Sequence, residues 1–270
     1  MTGASTLSVI GACDLPEHEA VRLLMKATGQ SRTEVLFGRP VSRSEVEEFA
    51  VLVGRRLAGE PLQYLEGTVD FGPVTVGVDD RVLIPRPETE ELFERAISAV
   101  SEPSVVVDLC TGSGNLAIAL ASVWPNARIL ATDISSSAVD VATSNVKAND
   151  VEAEILVGDL FAPLPVALKG RVDLIVANPP YLSRLEYDSV PRDVRAEPVG
   201  ALVSGSDGDE VLARIAAEAP GWLRPDGVIM CEISEFHGQR VKGLFADLNG
   251  VIEQDVTGRD RFVVGARSVE

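Results

Sequence analysis

The tetrapeptide Asn178-Pro179-Pro180-Tyr181 contains the residue types needed to present a poor nitrogen nucleophile to an electrophilic methyl group. The nitrogen lone pair of an amide or aromatic amine is delocalised, so positioning must supply much of the rate. The side-chain oxygen of Asn178 and the carbonyl of Pro179 can accept two NH₂ hydrogens, and the prolines stiffen the loop. Tyr181 offers an aromatic face for a planar group. These four candidate catalytic residues predict methylation of an amino group on a planar sp² system, with glutamine and adenine both open.

A second cluster follows the apolar run that ends at Leu109. Gly112 and Gly114 let the backbone approach a ligand closely, and Asp133, after the next run, can accept both ribose hydroxyls of an adenosine. Because Ala117 replaces the third glycine of the dinucleotide pattern, a nucleoside without phosphate is favoured. With the methyl chemistry above, this indicates S-adenosylmethionine. The candidate cofactor-binding residues are Asp108, Cys110, Thr111, Gly112, Ser113, Gly114, Asn115, Asp133, Ile134, Asp159, Leu160, Phe161 and Asn178.

Asp159, Leu160 and Phe161 belong to this set because they follow a third apolar run. An acid at that point is expected to reach the adenine amino group, and Leu160 or Phe161 to cover the face of the ring.

The elements that must position these residues alternate between strand and helix, which predicts a parallel sheet with helices on both faces. The last two strands are joined by only five residues, 257–261, and so must form an antiparallel hairpin. This arrangement is the Rossmann-like class I methyltransferase fold, of class α/β, with seven strands and an antiparallel C-terminal hairpin. The predicted strands are Val105–Leu109, Ile129–Asp133, Glu154–Gly158, Leu174–Asn178, Val228–Ile233, Val251–Val256 and Phe262–Ala266.

The first part of the chain has a different pattern, which predicts a small helical bundle over residues 1–65. Helical spacing of apolar residues occurs twice there, and Ser44 with Glu47 has the spacing of a capping box. Alternating apolar residues around Gly72-Pro73 predict a β-hairpin linker over residues 66–84. The methyltransferase domain is then expected over residues 85–270, beginning with a helix from Glu88 to Val100.

Composition and charge limit the classes of partner and ligand that the chain is expected to bind. A formal net charge of −17 disfavours a nucleic-acid substrate and fits a protein partner. The three cysteines and two histidines form no metal-ligand pattern, so no metal is expected. No apolar run reaches the roughly 18 residues of a membrane span, and no signal peptide is apparent. These features predict a cytoplasmic protein without membrane or direct nucleic-acid contact.

The motifs above, together with residues 59–64, 82–90 and 258–261, match the pattern of a known family. From about residue 15 to residue 266 the chain resembles the release-factor glutamine N5-methyltransferase family. The resemblance implies S-adenosylmethionine as cofactor and, as substrate, the glutamine of the Gly-Gly-Gln motif in peptide-chain release factors. It also implies that the N-terminal bundle docks this protein substrate and that residues 86–89 lie over the pocket. The substrate-binding candidates are Arg86, Pro87, Glu88, Thr89 and Glu197. The resemblance rests on residues 59–64, 82–90, 108–115, 133–135, 159–161, 178–181 and 258–261.

Two departures from the family pattern bear on the substrate. The cofactor loop usually has glycine where this chain has Cys110, and residues 199–205 differ from the usual continuation, with Val199 and Val203 where charged residues are common. Three alternatives therefore stay open: a paralogue acting on another protein or a small-molecule amide, an adenine-N6 nucleic-acid methyltransferase, and a non-catalytic cofactor-binding subunit.

Overall fold

The chain divides into two compact units in a computed structural model that describes residues 4–268. The first unit ends at Thr68 and also includes Pro191–Ala196; the second spans Val69–Val190 and resumes at Glu197. Residues 1–3 and 269–270 of the predicted domains lie outside the described residues. No helix within residues 4–268 is long and apolar enough to cross a membrane.

The bounds of the elements are as follows. The helices are α1 (Thr6–Gly11), α2 (Glu17–Thr28), α3 (Arg32–Leu36), α4 (Arg43–Leu57), α5 (Leu62–Glu66), α6 (Pro87–Ala99), α7 (Asn115–Val123), α8 (Ser136–Ala148), α9 (Arg184–Tyr187), α10 (Val199–Leu202), α11 (Glu210–Trp222) and α12 (Gly238–Leu244). The strands are β1 (Ala4–Ser5), β2 (Pro40–Val41), β3 (Thr68–Phe71), β4 (Val74–Gly77), β5 (Val105–Leu109), β6 (Arg128–Asp133), β7 (Glu154–Val157), β8 (Val172–Ala177), β9 (Leu223–Glu232), β10 (Val251–Gln254) and β11 (Asp260–Ala266).

The first unit is helical, as its apolar spacing predicts. Helices α2 to α5 bury a core of aliphatic side chains with Phe49. The guanidinium of Arg56 on α4 donates to both oxygens of Glu19 on α2, at 2.7 and 2.9 Å. The N-cap of α4 is Ser42, whose capping box uses Glu45, so the prediction of Ser44 with Glu47 is wrong by two residues.

The segment Pro191–Ala196 completes this unit from a distant part of the chain. Arg192 donates from its guanidinium to the carbonyl of Ala58, the residue that ends α4, at 3.0 Å. A cation at the C-terminus of a helix also interacts favourably with the helix dipole. The first unit therefore depends on residues that follow the tetrapeptide loop of the second.

The second unit contains the predicted seven-stranded sheet, in the order β10-β11-β9-β8-β5-β6-β7. Strands β5 to β9 run parallel, and β11 is antiparallel to both β9 and β10. Helices α7 and α11 pack against the sheet. Strands β5 and β8 are buried along almost their whole length, as their unbroken apolar sequences predict. The Rossmann-like fold with an antiparallel C-terminal hairpin is confirmed.

The order of the strands fixes the place of a ligand site. From β5 the chain first continues to β6 and β7 on one side, and β8 is then added on the other side of β5. Loops that leave the carboxyl ends of β5 and β8 therefore diverge, and the crevice between them is where open α/β sheets bind ligands.

Two asparagine side chains of the α8 region hold the hairpin of β3 and β4. Asn145 accepts from the backbone nitrogen of Gly77 at 2.7 Å and donates to its carbonyl at 2.9 Å. Asn149 pairs in the same way with the nitrogen and carbonyl of Thr75, at 3.4 and 2.9 Å. The two carboxamides thus substitute for a further strand along β4.

Candidate active site

A cavity of about 470 Å³ opens at the carboxyl ends of β5, β6 and β8. This volume is within the range of small-molecule sites. The predicted site residues that line it are Asp108, Cys110, Thr111, Gly112, Ser113, Asn115, Asp133, Ile134, Asp159, Leu160, Asn178, Pro180 and Thr89. Those that do not line it are Gly114, Phe161, Pro179, Tyr181, Arg86, Pro87, Glu88 and Glu197.

The loop after β5 has the left-handed backbone that its glycines allow. Gly112 and Gly114 have φ of 55° and 82°, and Cys110 has φ of 58°. Glycine adopts this region without a Cβ penalty, which explains why glycine suits the position of Cys110. A Cβ on Gly114 would lie 3.1 Å from the Cβ of Ala142, so this glycine lets the loop pack against α8.

Asp108 has an unpartnered oxygen that the site leaves for a ligand. Its Oδ2 accepts from the hydroxyl of Thr111 at 2.5 Å and from the backbone nitrogen of Ala117 at 3.2 Å. Its Oδ1 is buried without a hydrogen-bond partner in the described part of the chain. Burial raises the pKa of this carboxyl to about 7. A cationic donor from a ligand would satisfy that oxygen and favour the ionised form.

Asp133 shapes the loop as well as facing the cavity. Its two oxygens accept from the backbone nitrogens of Gly112 and Ser135, each at 2.9 Å. Burial raises the pKa of Asp133, against the effect of these two hydrogen bonds. Each carboxylate oxygen keeps a further lone pair for a ligand hydroxyl.

The residues after β7 divide between cavity and core. Asp159 forms an ion pair with Arg214 at 2.7 Å, and both line the cavity together with Leu160. Phe161 is 1% exposed and stacks on Trp222, with ring centroids 5.6 Å apart. Leu160 thus lines the cavity, whereas Phe161 packs in the core.

Asn178 follows β8 directly and extends its carboxamide between α6 and the cavity. Its Nδ2 donates to the hydroxyl oxygen of Thr89 at 2.9 Å. Its Oδ1 forms no hydrogen bond within residues 4–268. Tyr181 turns its hydroxyl away, toward Glu232 at the end of β9, at 3.0 Å. The acceptor atom that the tetrapeptide chemistry requires is therefore available on Asn178.

The comparisons with known proteins agree with this geometry. Residues 90–205 match the methyltransferase small domain family, and residues 2–67 match the PrmC N-terminal domain family. A release factor glutamine methyltransferase of Mycolicibacterium smegmatis is 38% identical over 272 residues, 97% of this chain and 94% of the relative. One of Moorella thermoacetica is 36% identical over 271 residues, 96% of this chain and 94% of the relative. The chain belongs to the release factor glutamine methyltransferase family.

A solved structure shares the fold of this family member. The 16S rRNA N2 methyltransferase of T. thermophilus, in complex with AdoMet and guanosine, has a TM-score of 0.53 at 19% identity. The match covers 74% of this chain and 49% of that one. The likeness shows the methyltransferase fold.

The segment 84–86 of this methyltransferase is held by Glu197. One carboxylate oxygen of Glu197 accepts from the backbone nitrogen of Ile84 at 2.9 Å, and the other pairs with the guanidinium of Arg86. Glu197 is 4% exposed, so these contacts hold the Pro85-bearing segment beside the cavity. Arg86 and Glu197, two of the five predicted substrate-binding residues, thus contact each other.

Several cavity residues of this methyltransferase were not predicted from its sequence. They are Arg81, Val82, Leu83, Pro85, Leu116, Thr132, Ser135, Ala138, Pro198, Gly200, Ala201, Val203, Val211 and Arg214. Most are apolar, and several adjoin or lie within the recognised motifs without having a predicted role. Glu232 was also missed, although an acid inside the apolar run 228–233 was a visible signal.

No group of three or more metal-ligating side chains occurs among the described residues.

Proposed function

We propose that this methyltransferase transfers the methyl group of S-adenosylmethionine to the side-chain amide N5 of a protein glutamine, in the Gly-Gly-Gln motif of peptide-chain release factors. The observation that carries the proposal is the Asn178 carboxamide, whose oxygen is left without an intramolecular partner at the cavity. Family membership supports the substrate, because the relatives are release factor glutamine methyltransferases.

The cofactor fits the donor set of the cavity. The unpartnered oxygen of Asp108 suits an α-ammonium group, Asp133 suits ribose hydroxyls, and the apolar wall at Leu160 suits a purine ring. Of the remaining cofactor-binding candidates, Thr111, Ser113, Asn115, Cys110 and Ile134 line the same cavity. When bound, S-adenosylmethionine supplies an electrophilic methyl on a sulfonium.

The protein's part in the reaction is to orient the acceptor. Oδ1 of Asn178 and the carbonyl of Pro179 accept the two hydrogens of the glutamine NH₂ group, so its nitrogen faces the cavity. Pro180, which lines the cavity, keeps the loop stiff. Such positioning supplies rate without a general base of high strength.

We also propose how the domains share the work. Residues 1–65 dock the protein substrate, residues 66–84 link, and residues 85–270 carry out the chemistry. Thr89 lines the cavity, whereas Arg86, Pro87, Glu88 and Glu197 do not, and we propose that these four bind the substrate beside it. Since release factors act at the ribosome, we place the activity in the cytoplasm.

The direct test is methylation of a purified release factor with labelled S-adenosylmethionine, followed by peptide mass mapping. The expected result is the mass of one added CH₂ on the Gly-Gly-Gln peptide, and its loss in Asn178→Ala with cofactor binding retained. Part of the cavity wall is small and apolar and is formed by Gly200, Ala201 and Val203. A glutamine peptide that lacks the two glycines is therefore a useful second substrate to compare with the Gly-Gly-Gln peptide. Cofactor binding without any labelled release factor would contradict the substrate assignment.

A further inference from the structure

Two hydrogen-bonded chains lead from the acceptor loop to one buried carboxylate. Glu232, the last residue of β9, is 1% exposed. Its Oε2 accepts from the hydroxyl of Thr89 at 2.8 Å, and its Oε1 accepts from the hydroxyl of Tyr181 at 3.0 Å. Thr89 in turn accepts from Nδ2 of Asn178 at 2.9 Å. The reaction outlined above gives Glu232 no role.

The sheet explains why these side chains meet. Strands β8 and β9 are parallel neighbours in which Ala177 pairs with Cys231. Asn178 and Glu232 are the next residues along the chain from this pair, so they lie side by side at the carboxyl edge of the sheet. Thr89, in the first turn of α6, lies between them.

The direction of the protons follows from the chemistry of the groups. An ionised carboxylate only accepts hydrogen bonds, so the hydroxyls of Thr89 and Tyr181 must both donate to Glu232. A hydroxyl has one proton, and Thr89 can therefore only accept from Asn178. The NH₂ end of the Asn178 carboxamide must then face Thr89, and Oδ1 must face the other way.

We infer that Glu232 and Thr89 are positioning residues that fix which end of the Asn178 carboxamide faces the acceptor nitrogen. The inference rests on the proposed function. The two ends of a carboxamide are nearly equal in size, so hydrogen-bond polarity selects between them. A reversed carboxamide would turn its NH₂ toward the NH₂ of the glutamine, and two donors would meet without an acceptor.

The surroundings of Glu232 set the balance of its charge. Burial raises the pKa of Glu232, and the charge of Glu88 acts in the same direction. The hydrogen bonds from Thr89 and Tyr181 and the guanidinium of Arg261 lower it. The two hydroxyls thus support the ionised form of Glu232. The donor direction along the chain of hydrogen bonds from Asn178 through Thr89 to Glu232, called the relay below, depends on this form.

The first test compares two substitutions of Thr89. Thr89→Val has nearly the same shape but no hydroxyl, whereas Thr89→Ser keeps the hydroxyl and loses a methyl group. With a glutamine peptide, kcat should fall about ten-fold or more in Thr89→Val, as expected for an unsatisfied hydrogen-bonding group. Thr89→Ser should retain most of the activity, and the dissociation constant of the cofactor should change by less than about three-fold in both, roughly 0.7 kcal/mol.

A packing role predicts the opposite order. If Thr89 only filled space, Thr89→Ser would be the more impaired variant because it leaves a cavity. Equal kcat in wild type and Thr89→Val, or a lower kcat in Thr89→Ser than in Thr89→Val, would overturn the inference.

Glu232 is tested with a variant that removes both acceptors. Glu232→Leu leaves the Thr89 hydroxyl able to donate to Asn178 and so to reverse the carboxamide; kcat should fall as in Thr89→Val. The double variant should be no slower than the more impaired single variant, because both act through one relay. Multiplied losses in the double variant would mean two independent roles.

A readout without turnover separates this inference from the proposed function. The side-chain NH₂ protons of Asn178, identified by their absence in Asn178→Ala, should exchange slowly with water in wild type and Thr89→Ser and faster in Thr89→Val. Equal exchange in all three would contradict the relay. If the exchange behaves as expected but wild type methylates no glutamine, the proposed function fails and the relay stands.

Discussion

At the scale of single residues, the proposed role of the unpartnered Asp108 oxygen predicts that cofactor binding depends on pH. Burial raises the pKa of this carboxyl to about 7, and the proposed pairing with the ammonium of the cofactor requires the ionised form. Affinity for S-adenosylmethionine should therefore fall as pH decreases from 7 to 5, approaching about ten-fold per pH unit. Isothermal titration calorimetry at several pH values measures it.

Asp108→Asn is the matched control for this prediction. The variant has no titrating carboxyl at this position, so its affinity should be lower and should lose the Asp108 part of the pH dependence. A wild-type affinity that is constant over this range would refute the role of Asp108.

Asp133 accepts from two backbone nitrogens of the loop and is proposed to accept ribose hydroxyls, and two substitutions remove these acceptors to different degrees. Asp133→Ala removes the proposed ribose acceptor and both backbone contacts to Gly112 and Ser135, and affinity for the cofactor should fall about ten- to a hundred-fold. Asp133→Asn keeps one acceptor oxygen and should be intermediate. Calorimetry on folded variants, checked by circular dichroism, gives the comparison. An affinity of Asp133→Ala equal to that of wild type would remove Asp133 from the site.

At the scale of elements, the strands were predictable where apolar residues run without interruption. Strand β5 has the predicted bounds, and β8 and β11 begin two residues earlier than predicted. Strand β9 begins at Leu223, five residues before the predicted start, because Pro225, Asp226 and Gly227 have the composition of a turn. Leu223 pairs with Val172 of β8, and the register then shifts so that Val228 pairs with Leu174.

The site was predictable where a motif is local and was missed where the fold brings distant residues together. Ser42 and Ser44 both precede a glutamate at capping-box spacing, and sequence alone gives no reason to prefer Ser42. The pairing of Thr89 with Glu232 joins residues of α6 and β9 that share no sequence motif. Phe161 and Leu160 are adjacent apolar residues, and only tertiary packing decides that Leu160 faces the cavity.

The two asparagines that hold the β3–β4 hairpin lead to a prediction about how the hairpin and α8 affect cofactor binding. Asn145 is buried and also donates to the carbonyl of Ser113 in the cofactor loop, at 2.8 Å, which Asn149 does not. Asn145→Leu should lower the melting temperature and weaken cofactor binding, because buried backbone groups lose their partners. Calorimetry of unfolding and of binding measures both effects.

Asn149→Ala is the control for the hairpin. It should lower the melting temperature slightly and leave cofactor affinity as in wild type. If both variants weakened cofactor binding equally, the hairpin itself and not the Asn145–Ser113 contact would support the loop.

At the scale of the whole molecule, the net charge of −17 should affect a protein substrate more than a short peptide. Long-range attraction between an acidic enzyme and a basic surface is screened by salt. KM for an intact release factor should therefore rise between about 0.05 and 0.3 M NaCl, where the Debye length shortens. KM for an uncharged Gly-Gly-Gln peptide should hardly change. Equal salt dependence for both substrates would exclude charge steering.

The membership of Pro191–Ala196 in the first unit also affects how the chain is completed during synthesis. A ribosome adds residues 69–190 after the N-terminal helices have been synthesised and before Arg192 can reach the carbonyl of Ala58. At typical elongation rates this interval lasts on the order of ten seconds. In that time the N-terminal helices have the contacts among themselves, which include their aliphatic core and the Glu19–Arg56 and Arg22–Glu66 ion pairs, but not the contact from Arg192. The first unit is thus translated first but gains its last segment late. A nascent chain that stops at Thr68 lacks the contact between Arg192 and Ala58.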